Sequence, residues 1–181
     1  MRFTVVVGNP KAGSRTRTVA IAAADAITRA VRAGEGYELV DLSVLARRLL
    51  LPEPSAAVED AAEHALGADL LLVASPTFKG TYTGLLKVFL DRLPYRGLEG
   101  TIALPLLVMN SPAHALAVEV HLRPLLVELG ATVPTPGLAV LESDLGGLDG
   151  VLRPWARRVA GVLGPTPAPA QVARIPAAFA G

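Results

Sequence analysis

The 181-residue chain contains no cysteine. That absence excludes thiol catalysis, cysteine-ligated zinc and disulfide frameworks, and it fits a reducing compartment. Charge of one sign is lacking as well. Seventeen Lys and Arg against sixteen Asp and Glu leave a net charge of +1, which gives no reason to expect nucleic acid. Long apolar runs are missing: the densest, Ile102 to Met109, is strand-sized and far below the ~20 residues of a spanning helix. The first apolar run stops at Gly8, without a signal-peptide pattern. These absences together point to a cytoplasmic protein that does not enter a membrane. Charged residues are also few, at 18% against 51% hydrophobic. Ala-rich helices and a buried subunit interface would together account for that balance.

The length suits one domain, able to bury about 70% of its unfolded surface without covalent staples. A compact β-branched-rich run over Arg2–Val7 and apolar runs over Asp69–Ala74 and Thr101–Met109 read as buried strands, with a short second strand over Tyr37–Leu42 and a fifth over Val133–Leu141. Helical spacing separates them over Thr16–Val31 (stopping near Gly34), Ala56–Leu66, Thr83–Leu93, Ala113–Leu129 and Leu148–Leu163. Pro105 is awkward inside its strand and calls for an edge or a bulge, and Pro124 predicts a kink in the fourth helix. Strands alternating with helices, each strand apolar throughout, predict a parallel α/β sheet covered on both faces. The expected organisation is a domain over 1–163 and a Pro/Ala-rich tail over 164–181, which is either disordered or docked on a partner subunit.

In open parallel sheets ligands sit beyond the carboxyl ends of the strands. The loop after the first strand is Gly8-Asn9-Pro10-Lys11-Ala12-Gly13-Ser14-Arg15-Thr16. A strand-to-helix turn aims backbone N–H groups and the helix dipole at one point. Ser14 and Thr16 add hydroxyls, and Arg15 can grip two phosphate oxygens. Arg2, Lys11, Arg15 and Arg17 all precede the first acidic residue, Asp25, so the loop reads as locally positive. It is not a Walker loop, since Ser14-Arg15 follow Gly13, and Gly8-Asn9-Pro10 breaks the dinucleotide G-x-G-x-x-G. A phosphate monoester held without metal fits; an ordinary helix N-cap by Ser14 is the competing reading.

The loop after the third strand, Ser75-Pro76-Thr77-Phe78-Lys79-Gly80-Thr81-Tyr82-Thr83-Gly84, has the makings of a platform for a planar ring. Pro76 stiffens it, Gly80 allows close backbone approach, Thr83 can cap the next helix, and Phe78 can lie against a ring face or rim. Lys79 reads as a charge that favours a reduced, anionic ring or binds a nucleotide phosphate, and equally as a solvated loop lysine. Tyr82 reads equally as a contact or as packing over the end of the sheet.

Gly8–Thr16 together with Ser75–Leu93 resembles the NAD(P)H-dependent FMN reductases, in particular those that feed reduced flavin to alkanesulfonate-type monooxygenases. The similarity continues through Asn110–Gly130 and reaches about Leu145. It implies a flavodoxin-like three-layer fold with strand order 2-1-3-4-5, bound FMN, NAD(P)H as reductant, and a homodimer or homotetramer. By position it assigns Ser14, Arg15 and Thr16 to the FMN phosphate. Pro76, Thr77, Phe78, Lys79, Gly80 and Thr81 would line the ribityl chain and ring, and Asn110, Ser111 and Pro112 the pyrimidine edge.

Two departures stand out. Relatives often carry a Gly-Gly pair where this chain has Ser111-Pro112, and Pro112 removes an N–H donor. Sulfonate-linked relatives often carry an inserted aromatic in the following helix, whereas Val118–Leu122 has no Tyr and offers His121 instead. His114 and His121 fall on one helical face, but two histidines make a poor metal site, so no metal is expected and an interface or surface role is the reading for both. No acid or base is required, because the cofactors carry hydride transfer. Three functions remain open: a reductase that releases reduced FMN to a monooxygenase, one that retains FMN and reduces quinones or azo compounds, and an electron carrier. The near-neutral charge argues against the last, since such carriers are strongly acidic for steering.

Overall fold

Leucine and valine fill consecutive positions of the central strands because both faces of the sheet are covered. In the computed structural model, which describes residues 1–31, 36–53 and 55–164, five strands pair in parallel in the order β2-β1-β3-β4-β5. They are β1 (Phe3–Val7), β2 (Glu38–Asp41), β3 (Leu70–Pro76), β4 (Ile102–Met109) and β5 (Leu138–Leu141). Side chains alternate across the pleat. Leu70, Leu72 and Ala74 of β3 enter one core with α1 (Arg15–Val31) and α5 (Leu148–Leu163). Leu71 and Val73 enter the other with α2 (Ala56–Leu66), α3 (Gly84–Leu90) and α4 (Arg123–Glu128). Small residues (Ala20, Ala23, Ala24) on the buried face of α1 let it lie close to the sheet.

The expected α/β architecture and strand order hold, and the departures have local causes. Pro105 lies in an interior strand, not at an edge. It is opposite Val73 of β3 on one side, but pairing with β5 begins one residue later, at Leu106 with Leu138. The missing N–H therefore falls where β4 has no ladder partner on that side. The fifth strand is shorter than Val133–Leu141 because Pro134, Pro136 and Gly137 precede it. Thr132 alone forms a bridge, with Ile102.

The helix expected over Ala113–Leu129 is broken into a 3-10 turn (Pro112–His114), a π turn (Val118–Leu122) and α4. Pro124 cannot donate to the carbonyl four residues back, and the Arg123 N–H instead reaches five back, to the Val118 carbonyl. That wide turn is the form the kink takes. Glu119 and Arg123 then fasten it. Arg123 donates to Glu119 and to the carbonyls of Val133 (2.6 Å) and Thr135 (2.6 Å), while Glu119 accepts from the Gly137 N–H at 2.6 Å. Among the described residues no helix is long and apolar enough to cross a membrane. The expected stop near Gly34 and the tail beyond Gly164 lie outside the described residues.

Candidate functional site

Parallel register brings Val7 level with Ala74 and Asp41, Pro76 level with Val108, and Met109 level with Leu141. The segments that begin at Gly8, Thr77, Asn110 and Glu142 therefore leave the sheet along one edge. All three sequence-predicted loops converge there. A cavity of about 580 Å³, lined among others by Arg2, Phe3, Tyr37 and Glu63, lies at the opposite, amino edge and contains none of these residues.

A buried chain of hydrogen bonds sets the first two loops relative to one another. The Thr83 hydroxyl donates to the Gly8 carbonyl at 2.5 Å and accepts from the Leu86 N–H, capping α3. The Thr83 N–H in turn donates to the Ser75 hydroxyl at 3.0 Å. Gly8 is required sterically: a Cβ there would stand 2.6 Å from the Leu86 Cβ. Neither link joins neighbours in the chain, so both are products of the fold.

In the first loop Ser14 does cap α1, its hydroxyl oxygen accepting from the Arg17 N–H at 3.2 Å. The capping oxygen keeps its proton, so capping and donation to a phosphate oxygen are compatible. Thr16 is almost wholly buried, and its hydroxyl accepts from the Asn9 side-chain amide at 3.0 Å. Asn9 also accepts from the Lys11 N–H at 2.9 Å. Thr16 thus sits beneath the loop and Asn9 braces it from within; the sequence reading passed over Asn9. Two of the four cations that made the sequence locally positive, Arg15 and Arg17, are each held by a distant carboxylate. Arg15 pairs with Glu142 just past β5, and Arg17 with Asp41 at the end of β2 at 3.3 Å.

The second loop is a tight turn. Phe78 and Thr81 exchange backbone hydrogen bonds of 2.8 and 3.3 Å, with Lys79 (φ 54°) and Gly80 (φ 84°) at the tip. Two successive positive φ angles are the mark of a type I′ turn, which glycine tolerates and lysine adopts at a cost. Pro76 is the last residue of β3, and the Thr77 N–H donates to the Val108 carbonyl. Phe78 is half exposed at the rim, whereas Tyr82 packs against the core beside α3, the second of its two readings.

In the third loop Ser111 caps the 3-10 turn by accepting from the Ala113 N–H at 3.3 Å. Pro112 stands at the first position of that turn, where an N–H has no intrahelical partner in any case. Asn110 is exposed directly after β4. His114 packs over the tip of the second loop, 4.0 Å from where a Cβ on Gly80 would lie. Its Nδ1 and the Thr77 Oγ1 are buried without a hydrogen-bond partner among the described residues. Thr28 Oγ1, Ser43 Oγ and Thr135 Oγ1 share that condition elsewhere among the described residues, so it does not by itself mark a ligand. The sequence reading took His114 for an interface or surface residue; its proximity to Gly80 is set only by the fold. His121 is exposed on the π turn, and among the described residues no cluster could hold a metal ion.

A family model described as NADPH-dependent FMN reductase matches residues 1–145. Over 91 residues the chain is 44% identical to an FMN reductase (NADPH) of Escherichia coli (strain K12), covering 50% of this chain and 48% of that protein. Over 125 residues it is 31% identical to an NADH-dependent FMN reductase of Pseudomonas fluorescens (strain Pf0-1), covering 67% of each. The match to the first of these curated relatives spans about half of that relative's length. Among solved structures, an apo NADH:FMN oxidoreductase superposes with a TM-score of 0.79 at 28% identity, covering 92% of this chain and 91% of that one. An oxidoreductase from Corynebacterium diphtheriae gives the same TM-score and identity over 90% of this chain and 96% of that one.

Proposed function

The chain belongs to the NADPH-dependent FMN reductase family, and from that premise we propose that it oxidises NADH or NADPH and reduces FMN, releasing reduced flavin to a separate flavin-dependent monooxygenase in the cytoplasm. The observation that carries this reading is the convergence of three loops at the carboxyl edge, the first two locked together by the Thr83 bonds to Gly8 and Ser75. Hydride acceptance at the flavin ring is the chemistry FMN supplies when bound.

The chain's own part is to bind and orient. Ser14 and Arg15 hold the phosphate, with Thr16 fixing the loop from below through Asn9. Pro76, Thr77, Phe78, Lys79, Gly80 and Thr81 would line the ribityl chain and ring, with Phe78 half exposed at the rim. Asn110, Ser111 and Pro112 face the pyrimidine edge. No side chain serves as acid or base, and a chain without cysteine has no thiol couple of its own.

We further propose that a homodimer or homotetramer is the working form. Leu116, Val120 and Val127 stand exposed along the segment after β4, at 72%, 57% and 53%. Leu126 of the same segment is fully buried, so the apolar residues outnumber what the sheet can cover.

The test is oxidation of NADH and NADPH by flavin-stripped protein with and without added FMN. The expected result is turnover only when flavin is restored, from a preparation that is nearly colourless as purified. Nicotinamide oxidation unaffected by flavin would reject the reductase reading. A stably yellow protein that turns over without added FMN would reject flavin release.

A further inference from the structure

Arg15 opens α1, the position from which its guanidinium would meet a phosphate in the first loop. In the structure that guanidinium is already engaged: its Nη1 donates to Oε2 of Glu142. Glu142 lies 127 residues away in sequence. It directly follows β5, and α1 and α5 lie against the same face of the sheet, which brings the two together at the edge where the loops converge. The contact is not buried, with side-chain exposures of 65% for Arg15 and 36% for Glu142. An exposed pair of this kind is held weakly enough to exchange partners.

We infer that Glu142 is a specificity-determining residue that competes with the flavin phosphate for Arg15 and so keeps FMN exchangeable. The inference rests on the proposed reading of the first loop as the phosphate site. Its physical basis is charge. A guanidinium bonded to a carboxylate presents little net positive charge, and a phosphate dianion arriving beside it must displace the carboxylate or share the guanidinium with it. Sharing places two anions within a few ångströms of each other, where repulsion at a partly exposed site is reduced but not removed by solvent and salt. Arg17 is neutralised in parallel by Asp41, so the second nearby guanidinium does not make up the difference. A loop that reads as strongly phosphate-binding is thereby held to moderate affinity, which suits a flavin that enters oxidised and leaves reduced.

The experiment measures dissociation constants of FMN and riboflavin by flavin fluorescence at low ionic strength, for wild type, R15A, E142Q and R15A/E142Q. Glu142→Gln should tighten FMN about fivefold, the scale of one exposed ion pair, and leave riboflavin unchanged. Arg15→Ala should weaken FMN at least about tenfold, the usual worth of a hydrogen bond to a charged group. Adding E142Q to R15A should then change little, since the competed residue is gone. Unchanged or weaker FMN binding by E142Q, with R15A still selective for FMN, would overturn the inference alone. Weaker binding in particular would make Glu142 a support for Arg15, not a rival to the phosphate. Equal losses of FMN and riboflavin affinity in R15A would instead overturn the phosphate reading beneath it.

Discussion

Single residues at this site are chosen for what they allow as much as for what they bind. Gly8 shows this most directly, because it bears no ligand group and still decides whether α3 can approach the end of β1. With a Cβ only 2.6 Å from the Leu86 Cβ, relief must come from backbone movement, since neither atom is the far end of a flexible side chain. Gly8→Ala should lower the unfolding free energy by about 1–3 kcal/mol, the range for overpacking a filled core, read from urea denaturation midpoints. It should also weaken FMN and riboflavin alike, because the shift moves the loop as a body. A variant as stable as wild type would show that Leu86 can withdraw. Lys79 carries a different constraint, a positive φ at the tip of the second loop. Lys79→Gly would relieve a strain of about 1–2 kcal/mol, offset in part by the greater freedom glycine gives the unfolded chain.

At the scale of elements, the segment after β4 shows a helix interrupted and then fastened. Pro124 removes one backbone donor, the π turn absorbs the loss, and the Glu119–Arg123 pair ties the widened turn to residues 133–137. The Arg123 guanidinium holds the Glu119 carboxyl below the usual glutamate range, helped by the Gly137 N–H and opposed by partial burial. A carboxyl whose folded pKa is depressed contributes stability that is complete above its unfolded pKa, about 4.3 for glutamate. That contribution is lost as the pH falls through the lower folded value. Glu119→Gln should therefore be less stable than wild type by a constant margin near neutrality. The margin should shrink as the pH drops below about 4.3 and vanish once wild-type Glu119 is protonated. Unfolding curves of both proteins from pH 3 to pH 8 would check it, and a margin independent of pH would remove the charge from the explanation.

For the whole molecule, the balance of exposed and buried apolar surface makes the case for assembly. Leu116, Val120 and Val127 lie at intervals that keep them on the outside, away from Leu122 and Leu126, which face the sheet. Light scattering at micromolar concentration should report a dimer or tetramer. Leu116→Glu with Val120→Glu should shift it toward monomer without loss of secondary structure, because charges on a face that must be desolvated oppose association. A wild-type monomer with full reductase activity would reject the proposed assembly.

The chain's own pattern determined the α/β class, the order in which strands and helices follow one another, and the positions of the three loops, because apolar periodicity and Gly/Pro punctuation act over a few residues. α2 and α5 match their expected ranges to the residue. Family resemblance added the strand order and the flavin. What the sequence misjudged depends on neighbours far along the chain. Pro105 is harmless because β5 starts one residue late, which no local pattern records. Two of the four cations that make the first loop read as positive are compensated by acids that only the fold brings near. In the folded molecule Asp41 and Glu142 stand beside Arg17 and Arg15. His114 resembled a surface histidine until the second and third loops were brought together over Gly80. Backbone propensity and burial pattern are written locally, whereas charge compensation and the orientation of a polar side chain depend on distances that exist only once the sheet has closed its register.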